Sequence, residues 1–308
     1  MLKIGLVCNT PAAFPLLQWC HQNQLLAGVA ILNTVSDFAQ DTQPICSQNH
    51  IPFKLLDTDD VTTALVTWQK DVAPDLVLVL AFPFKISPTV FKAVPLGYFN
   101  IHFGKLPTYA GSFPLFWQII DKISTGTVTI HQMDENFDSG PLAIELPFQI
   151  ERDLSYGMLE SHYGFVAIHA VHELLTRIIQ KTIKLIPQPA SQLAPSPKPV
   201  LKDLIIQWEH MTATNVTALI LATNPWNKGA IALINGLDIK ILDAMPGDST
   251  QLAPGTVYRN NEGAMAVACQ HHTSIIILIV YCHLGYFERQ KIWKLGLQEG
   301  DCFQSIQL

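Results

Sequence analysis

Short apolar runs alternate with amphipathic stretches over the first half of the chain. Apolar runs of about four to eight residues predict strands, and apolar positions three or four apart predict helices. Between 75 and 82 every position from Leu76 to Ala81 is apolar, which is typical of a central parallel strand covered on both faces. The predicted strands are 3–8, 26–33, 51–56, 75–82 and 98–103, and the predicted helices begin near residues 11 and 61. This alternation predicts an α/β fold with a doubly wound sheet.

A proline-rich stretch follows a long predicted helix at 154–180. It contains Pro187, Pro189, Pro195, Pro197 and Pro199, a composition typical of a stiff, extended linker. Beyond it the pattern predicts a helix at 213–222 and short strands at 230–234, 237–242, 255–258, 264–269 and 274–281. We therefore predict a first domain at 1–182, a linker at 183–203 and a small β-barrel domain at 204–308.

Composition limits the class of protein. The chain has 308 residues, of which 49% are hydrophobic, and a net charge of −6. Its length allows two domains, and its acidic balance argues against a generally basic, nucleic-acid-seeking surface. No run reaches the ~20 apolar residues of a spanning helix, and the first residues do not have the features of a signal peptide. We therefore predict a cytoplasmic protein.

The cysteines and histidines do not form a recognisable metal or disulfide pattern. The six cysteines have no paired spacing, so reduced, buried thiols are predicted. His271, His272 and His283 lie near Cys269 and Cys282, but not at the offsets that zinc sites use. No metal is predicted.

A dinucleotide-binding enzyme is the obvious rival for this order of elements. The first strand-to-helix turn reads Cys8-Asn9-Thr10-Pro11-Ala12. Without a G-x-G-x-x-G sequence, the backbone cannot approach a pyrophosphate in the usual way. Nicotinamide binding is therefore not predicted.

Polar side chains gather at the end of the predicted strand 98–103. Asn100 and His102 are two apart, so they leave the strand on the same face. Asp138 lies in a turn after another predicted strand, 127–133. An amide, an imidazole and a carboxylate suit a reaction between an amine and a carbonyl, although a capped strand end with a hydrogen-bonded histidine is the simpler alternative for Asn-x-His alone.

Three motifs occur in one order along this region. They are Asn100-Ile101-His102, Leu106-Pro107-Thr108-Tyr109-Ala110-Gly111 and Asp138-Ser139-Gly140-Pro141. In these motifs the chain resembles the 10-formyltetrahydrofolate-dependent formyltransferases. The resemblance implies a Rossmann-like formyltransferase domain, and Asn224-Pro225-Trp226 before the short strands implies that family's OB-like carboxyl-terminal domain.

The resemblance also implies roles for particular residues. Asn100 would stabilise the oxyanion of a tetrahedral intermediate, His102 would handle protons, and Asp138 would orient His102. The residues implied to bind 10-formyltetrahydrofolate are Phe82, Phe84, Lys85, Ile86, Asp134 and Phe137. Those implied to bind the acceptor are Asn9, Thr10, Lys105 and Tyr109.

The acceptor stays open because the sequence departs from the family pattern in the acceptor loop. Gly104 and Lys105 stand where the family has Ser-Leu, and Ala110 replaces a common arginine. From residue 195 onward there are eight Lys and Arg against nine Asp and Glu, whereas binding to a phosphate backbone calls for clustered positive charge. We therefore favour a small or carrier-linked amine, such as a nucleotide-linked amino sugar. Methionyl-tRNA, hydrolysis of 10-formyltetrahydrofolate to formate, and binding without catalysis remain alternatives.

Overall fold

The computed structural model describes residues 2–33, 37–189 and 196–305. The chain divides into two compact units. The first comprises Met1–Pro114, Thr125–Gln149 and Glu160–Pro197, and the second comprises Leu115–Ser124, Ile150–Leu159 and Lys198–Leu308. The middle of the chain therefore contributes to both units.

Seven strands form the sheet of the first unit. They are β1 (Ile4–Cys8), β2 (Leu26–Leu32), β3 (Phe53–Leu56), β4 (Leu76–Leu80), β5 (Tyr98–Phe103), β6 (Thr125–Gln132) and β7 (Leu142–Gln149). They lie in the order β3-β2-β1-β4-β5-β6-β7. The pairs from β3 to β5 are parallel, whereas β6 and β7 join in antiparallel fashion. The order reverses between β1 and β4, which is where open α/β sheets place ligands, at the carboxyl ends of the strands.

Helices of the first unit cover both faces of this sheet. They are α1 (Phe14–Gln22), α2 (Asp37–Gln48), α3 (Val61–Val72), α4 (Pro88–Phe91) and the part of α6 (Tyr156–Ile179) from Glu160 onward. Apart from Pro114, α5 (Pro114–Ile120) belongs to the second unit. On one face Gly5 of β1 lies against Trp68 of α3, where an added Cβ would be 2.6 Å from the indole. On the other face Phe103 of β5 stacks on Tyr163 of α6, with ring centroids 5.0 Å apart. All residues of β1 and β4 are consequently buried.

The second unit is built on an antiparallel sheet. Its elements are α7 (Ala213–Ala222), β8 (Ala230–Ile234), β9 (Leu237–Pro246), β10 (Val257–Arg259), β11 (Met265–Ala268), β12 (Ser274–Cys282) and β13 (Gly285–Glu288). The order is β10-β11-β12-β9-β8, with β13 paired to β12. α7 packs on β9 and β12, and Trp226 meets the rings of Phe116 and Tyr156 at 6.3 Å.

The predicted α/β architecture with a parallel-dominated sheet is confirmed, as is an antiparallel β domain after it. Strand β5 and helix α7 have the predicted bounds. The sequence did not predict α2, β7 or β13. Pro44 lies inside α2 and Pro147 lies inside β7. An internal proline argues against a helix or a strand when only the sequence is considered. Strand β7 tolerates its proline because it is an edge strand.

Part of the predicted linker, 183–203, belongs to the first unit. Ile186 forms a bridge with Leu142, and the first unit extends to Pro197. Residues 190–195 of this segment lie outside the described residues.

Candidate active site

Strand β5 places Asn100 and His102 at the carboxyl edge of the sheet, beside β6. In the antiparallel register Asn100 is opposite His131, and His102 is opposite Thr129. The Asn100 amide nitrogen Nδ2 lies 3.1 Å from Nε2 of His131. Nδ1 of His131 is 3.3 Å from the carbonyl oxygen of Gln132. An Nδ1–H tautomer satisfies both contacts, since Nδ1 then donates to Gln132 while Nε2 accepts from Asn100.

The carboxylate of Asp138 lies close to the side chains of Asn100, His102 and His131. Its Oδ1 lies 3.4 Å from Nδ2 of Asn100, 3.5 Å from Nδ1 of His102 and 3.6 Å from Nε2 of His131. Its Oδ2 accepts a hydrogen bond of 2.7 Å from the backbone N–H of Gly111. Asp138 is 8% exposed and both histidines are buried. The structure thus brings the three residues of the predicted catalytic set together.

The turn that carries Asp138 is tightly held. Asp138 has a φ of +54°, a conformation that aspartate tolerates better than most residues. The side-chain amide of Gln188 donates to the carbonyls of Asp138 and Gly140, at 2.8 and 2.7 Å. A Cβ on Gly140 would lie 1.8 Å from the carbonyl oxygen of Gln132, so the turn can approach β6 this closely only with glycine there.

His102 is held in one orientation. Its Nε2 lies 2.6 Å from the carbonyl oxygen of Tyr109, and because a carbonyl can only accept, Nε2 carries the proton. Nδ1 then faces Asp138. Burial lowers the pKa of His102; the nearby Asp138 carboxylate and the Tyr109 carbonyl oppose this, but the net shift is downward. Near neutral pH the imidazole is therefore neutral, with Nδ1 unprotonated.

Asp138 is ionised. Burial acts to raise the pKa of its carboxyl group, but His102, His131 and the N–H of Gly111 outweigh burial and lower it. A buried carboxylate with a neutral imidazole beside it is suited to stabilise that imidazole once it accepts a proton.

The two loops implied to bind the folate meet through their side chains. Nζ of Lys85 lies 5.8 Å from the ring centroid of Phe137, and Phe137 is 51% exposed. Phe82 and Ile86 belong instead to the buried core, with Phe84 packed against them. Asp134 caps its own turn by accepting hydrogen bonds from Ser139 and the backbone of Asn136.

A cavity of about 630 Å³ opens beside the second of these loops. Its lining includes Asp134, Glu135, Asn136, Lys92 and Tyr98. This size is within the range of small-molecule sites, and acidic and amide oxygens match the N–H groups of a pterin ring. The residues present therefore fit a folate, although Asp134 is the only one of the six implied folate residues in the cavity lining.

The residues implied to bind the acceptor lie at two places in the first unit. Tyr109 contributes its carbonyl to His102, and Lys105 is exposed in the same loop. Asn9 and Thr10 follow β1. Thr10 donates a hydrogen bond of 2.7 Å to Glu160, and Oδ1 of Asn9 is buried without a partner.

Sequence reasoning did not identify His131 or Gln188 as site residues. The pairing of β5 with β6 determines the position of His131, and an alternating pattern does not reveal which residues of two strands face each other. Gln188 lies in the proline-rich segment, where nothing in the pattern marks a residue that holds a turn 50 positions earlier. Among the described residues there is no group of three His, Cys, Asp or Glu side chains arranged to hold a metal ion.

The site is thus an amide, an imidazole and a carboxylate at the carboxyl edge of an α/β sheet. A family model described as formyl transferase matches residues 6–174, and one described as formyl transferase, C-terminal domain, matches residues 201–282. The first match covers more than half of the chain, so the chain belongs to the formyl transferase family. The family assignment made from the motifs is confirmed, and the family uses formyl-tetrahydrofolate.

The similar proteins comprise relatives found by sequence and solved structures found by fold. A methionyl-tRNA formyltransferase from Kosmotoga olearia is 29% identical over 203 residues, a match that covers 65% of this chain and 65% of that protein. An N-formyltransferase from Helicobacter canadensis, in complex with folinic acid and dTDP-3-aminofucose, has a TM-score of 0.64 at 18% identity, covering 90% of this chain and 99% of that one. HypX from Aquifex aeolicus with tetrahydrofolic acid has a TM-score of 0.63 at 16% identity, covering 95% of this chain and 47% of HypX. At these identities the two structures show the fold alone.

Proposed function

We propose that this protein transfers a formyl group from 10-formyltetrahydrofolate to a primary amine. The observation that carries the proposal is the convergence of Asn100 and His102 on Oδ1 of Asp138, at 3.4 and 3.5 Å. The donor supplies an activated formyl group. The residues of this chain then have to stabilise negative charge on its oxygen, take a proton from the attacking amine, and return that proton to N10 of the donor as the bond between N10 and the formyl carbon breaks.

Asn100 is the donor for the formyl oxygen. Its carboxamide is held between His131 and Asp138, so it is oriented before the substrate binds, and a pre-oriented donor at a developing oxyanion contributes strongly to acyl transfer. Nδ2 has two acceptors beside it, Nε2 of His131 and Oδ1 of Asp138, so in this proposal the formyl oxygen takes the place of one of them.

His102 is the base, acting through Nδ1. The Tyr109 carbonyl holds the proton on Nε2, which leaves the Nδ1 lone pair to accept the amine proton. Asp138 then stabilises the imidazolium from 3.5 Å, as a carboxylate does in other general-base pairs. The positive charge also lies on the same strand face as Asn100, where it favours the oxyanion.

A small or carrier-linked amine, such as a nucleotide-linked amino sugar, is the proposed acceptor. The near balance of eight basic and nine acidic residues from 195 onward supports it, as does likeness in fold to the Helicobacter canadensis enzyme. Sequence similarity to methionyl-tRNA formyltransferases favours tRNA as the second candidate. We also propose an OB-like character for the domain at 204–308 and a cytoplasmic location.

A direct assay separates these acceptors. The protein is incubated with 10-formyltetrahydrofolate and either amino-sugar nucleotides or initiator methionyl-tRNA, and the product is identified by the mass of one added formyl group. We expect formylated sugar with little dependence on salt. Formylation of the tRNA alone, falling steeply with salt as phosphate contacts require, would establish the second candidate. Formate release without any amine product would establish a hydrolase.

A further inference from the structure

The proline-rich segment after α6 contacts the catalytic turn through Gln188. Ile186 and Leu142 exchange backbone hydrogen bonds of 2.8 Å in both directions, which fixes the segment beside the start of β7. Two residues further along, the side chain of Gln188 donates to the backbone carbonyls of Asp138 and Gly140. Both partners are carbonyl oxygens, which only accept, so the amide nitrogen is the atom that faces the turn. Gln188 therefore holds the backbone of the turn from outside it.

The oxygen of the same side chain gains nothing from its position. Oε1 of Gln188 is buried and has no hydrogen-bond partner among the described residues. A buried acceptor without a partner costs free energy, and a hydrocarbon side chain of similar length would avoid that cost. The two hydrogen bonds from the nitrogen are thus what glutamine contributes at this position.

The same segment reaches a second loop of the site at Ser196. The backbone N–H of Ser196 donates to the carbonyl of Ala110 at 2.5 Å, and its carbonyl accepts from the N–H of Phe113 at 3.0 Å. Between them Gly111 donates its N–H to Oδ2 of Asp138. A Cβ on Gly111 would lie 2.8 Å from the carbonyl oxygen of Ser196, so the two backbones approach this closely only with glycine there. Ser196 therefore fixes the loop that binds the catalytic carboxylate.

Prolines beside both contacts restrict the segment. Gln188 lies between Pro187 and Pro189, and Ser196 precedes Pro197. Proline fixes its own φ near about −65° and favours extended conformations in the residue before it. A chain restricted in this way has less conformational entropy to lose on folding. The segment can consequently hold two loops at a small entropic cost.

We propose that the proline-rich segment is part of the active site, and that Gln188 and the backbone of Ser196 are positioning groups for the catalytic carboxylate. Gln188 fixes the backbone of Asp138, and Ser196 fixes the loop whose N–H binds its Oδ2. Asp138 is thereby held 3.5 Å from Nδ1 of His102, where it stabilises the imidazolium. The inference rests on the proposed function for that last step.

The titration of His102 reports the position of Asp138 without any turnover. Burial lowers the pKa of His102, the Asp138 carboxylate and the Tyr109 carbonyl raise it, and His131 lowers it. Gln188→Met keeps the length of the side chain and removes the donor, so Asp138 should move away and the pKa of His102 should fall. NMR spectra of protein labelled at its histidine side chains measure this pKa, and the His102→Asn variant assigns the signal.

Further variants separate the two contacts from general packing. Gln180→Met is the control for Gln188→Met, because it changes an exposed glutamine just after α6. Ser196→Pro removes the N–H that binds Ala110, since proline has none, whereas Ser196→Ala keeps the backbone. We expect kcat/KM for formyl transfer to fall roughly tenfold or more in Gln188→Met and in Ser196→Pro, as for a misplaced catalytic group. Gln180→Met should match wild type, and Ser196→Ala should keep clearly more activity than Ser196→Pro.

Three results would count against the proposal. Wild-type turnover and an unchanged His102 titration in Gln188→Met would overturn it. Loss of the native circular dichroism spectrum in Gln188→Met would also overturn it, because the segment would then serve folding rather than positioning. Equal impairment of Ser196→Ala and Ser196→Pro would overturn the role given to the backbone of Ser196.

The two readouts distinguish failure of this inference from failure of the proposed function. If wild type formylates an amine from 10-formyltetrahydrofolate and Gln188→Met behaves as wild type does, the positioning role is wrong and the formyl transfer stands. If the pKa of His102 falls in Gln188→Met but wild type formylates no amine, the positioning role stands and the proposed reaction is wrong.

Discussion

Nε2 of His131 lies 3.6 Å from Oδ1 of Asp138, and the same nitrogen lies 3.1 Å from the amide of Asn100. His131 belongs to β6 and Asp138 to the turn after it. None of the three sequence motifs predicts that these two residues are in contact. His131 fixes the orientation of Asn100, and its proximity also lowers the pKa of His102. It is therefore a positioning residue for the proposed reaction.

The first prediction concerns the catalytic set. Asn100→Leu, His102→Asn and Asp138→Asn should each lower kcat/KM for formyl transfer by roughly two or more orders of magnitude, as for a lost oxyanion donor or base. Steady-state kinetics with 10-formyltetrahydrofolate checks this. Circular dichroism and binding of a folate analogue serve as controls, and activity within twofold of wild type in all three variants would contradict the assigned roles.

The second prediction concerns His131. In His131→Gln we expect kcat to fall by roughly tenfold with KM for the folate little changed, because the residue orients Asn100 without taking part in proton transfer. Removing its influence should also raise the pKa of His102. The acid limb of the pH–rate profile should therefore move to higher pH. A profile that keeps its wild-type position would show that His131 is only part of the packing.

The third prediction is the pH profile of the wild type. The base is neutral His102, whose pKa is lowered by burial, so kcat/KM should rise with pH through a midpoint below the usual histidine value of about 6.5. The free energy of unfolding should also fall as pH drops. Below about pH 6.5 His102 is protonated more readily in the unfolded state than in the folded state, so the folded state binds fewer protons. The lowered pKa of Asp138 adds a further loss near and below the usual carboxyl range.

Urea denaturation at several pH values measures that stability. The slope between about pH 6.5 and pH 5 should be smaller in His102→Gln, where the buried histidine is absent. An unchanged slope would mean that His102 is not the group that titrates there.

The fourth prediction concerns the turn of Asp138. Gly140→Ala should destabilise the protein by about 2–4 kcal/mol and lower activity, because the added methyl group overlaps the carbonyl oxygen of Gln132. Gly236→Ala is the matched control. Gly236 has a φ of +74° and no atoms near an added Cβ, so only a backbone cost of about 1 kcal/mol applies there. Equal stability losses in the two variants would refute the close approach at Gly140.

The fifth prediction concerns the thiols. Cys302 is exposed, whereas Cys8, Cys20, Cys46, Cys269 and Cys282 are buried. Burial raises the pKa of Cys20 to about 12 and also raises that of Cys8, so few thiolates are available. A thiol reagent should modify Cys302 rapidly in the native protein and the other five only after denaturation, as read by peptide mass mapping. Fast labelling of Cys20 in the native state would contradict its burial.

Much of the first unit could be predicted from the sequence because its signals are local. The run of apolar residues at Leu76–Leu80 is buried on both faces in a parallel sheet, and burial on both faces removes any need for polar positions. Asn100 and His102 share a strand face because side chains alternate along a strand. These relationships hold within a few residues, where covalent geometry fixes them.

The tertiary structure alone decided the contacts between distant segments. The pairing of β5 with β6 placed His131 opposite Asn100, Gly140 let the turn of Asp138 close on β6, and Gly164 brought Glu160 to Thr10. Each depends on how closely two backbones approach, and that distance is set by packing across the whole sheet. A sequence pattern records which residues prefer burial, but it does not record which buried neighbours they meet.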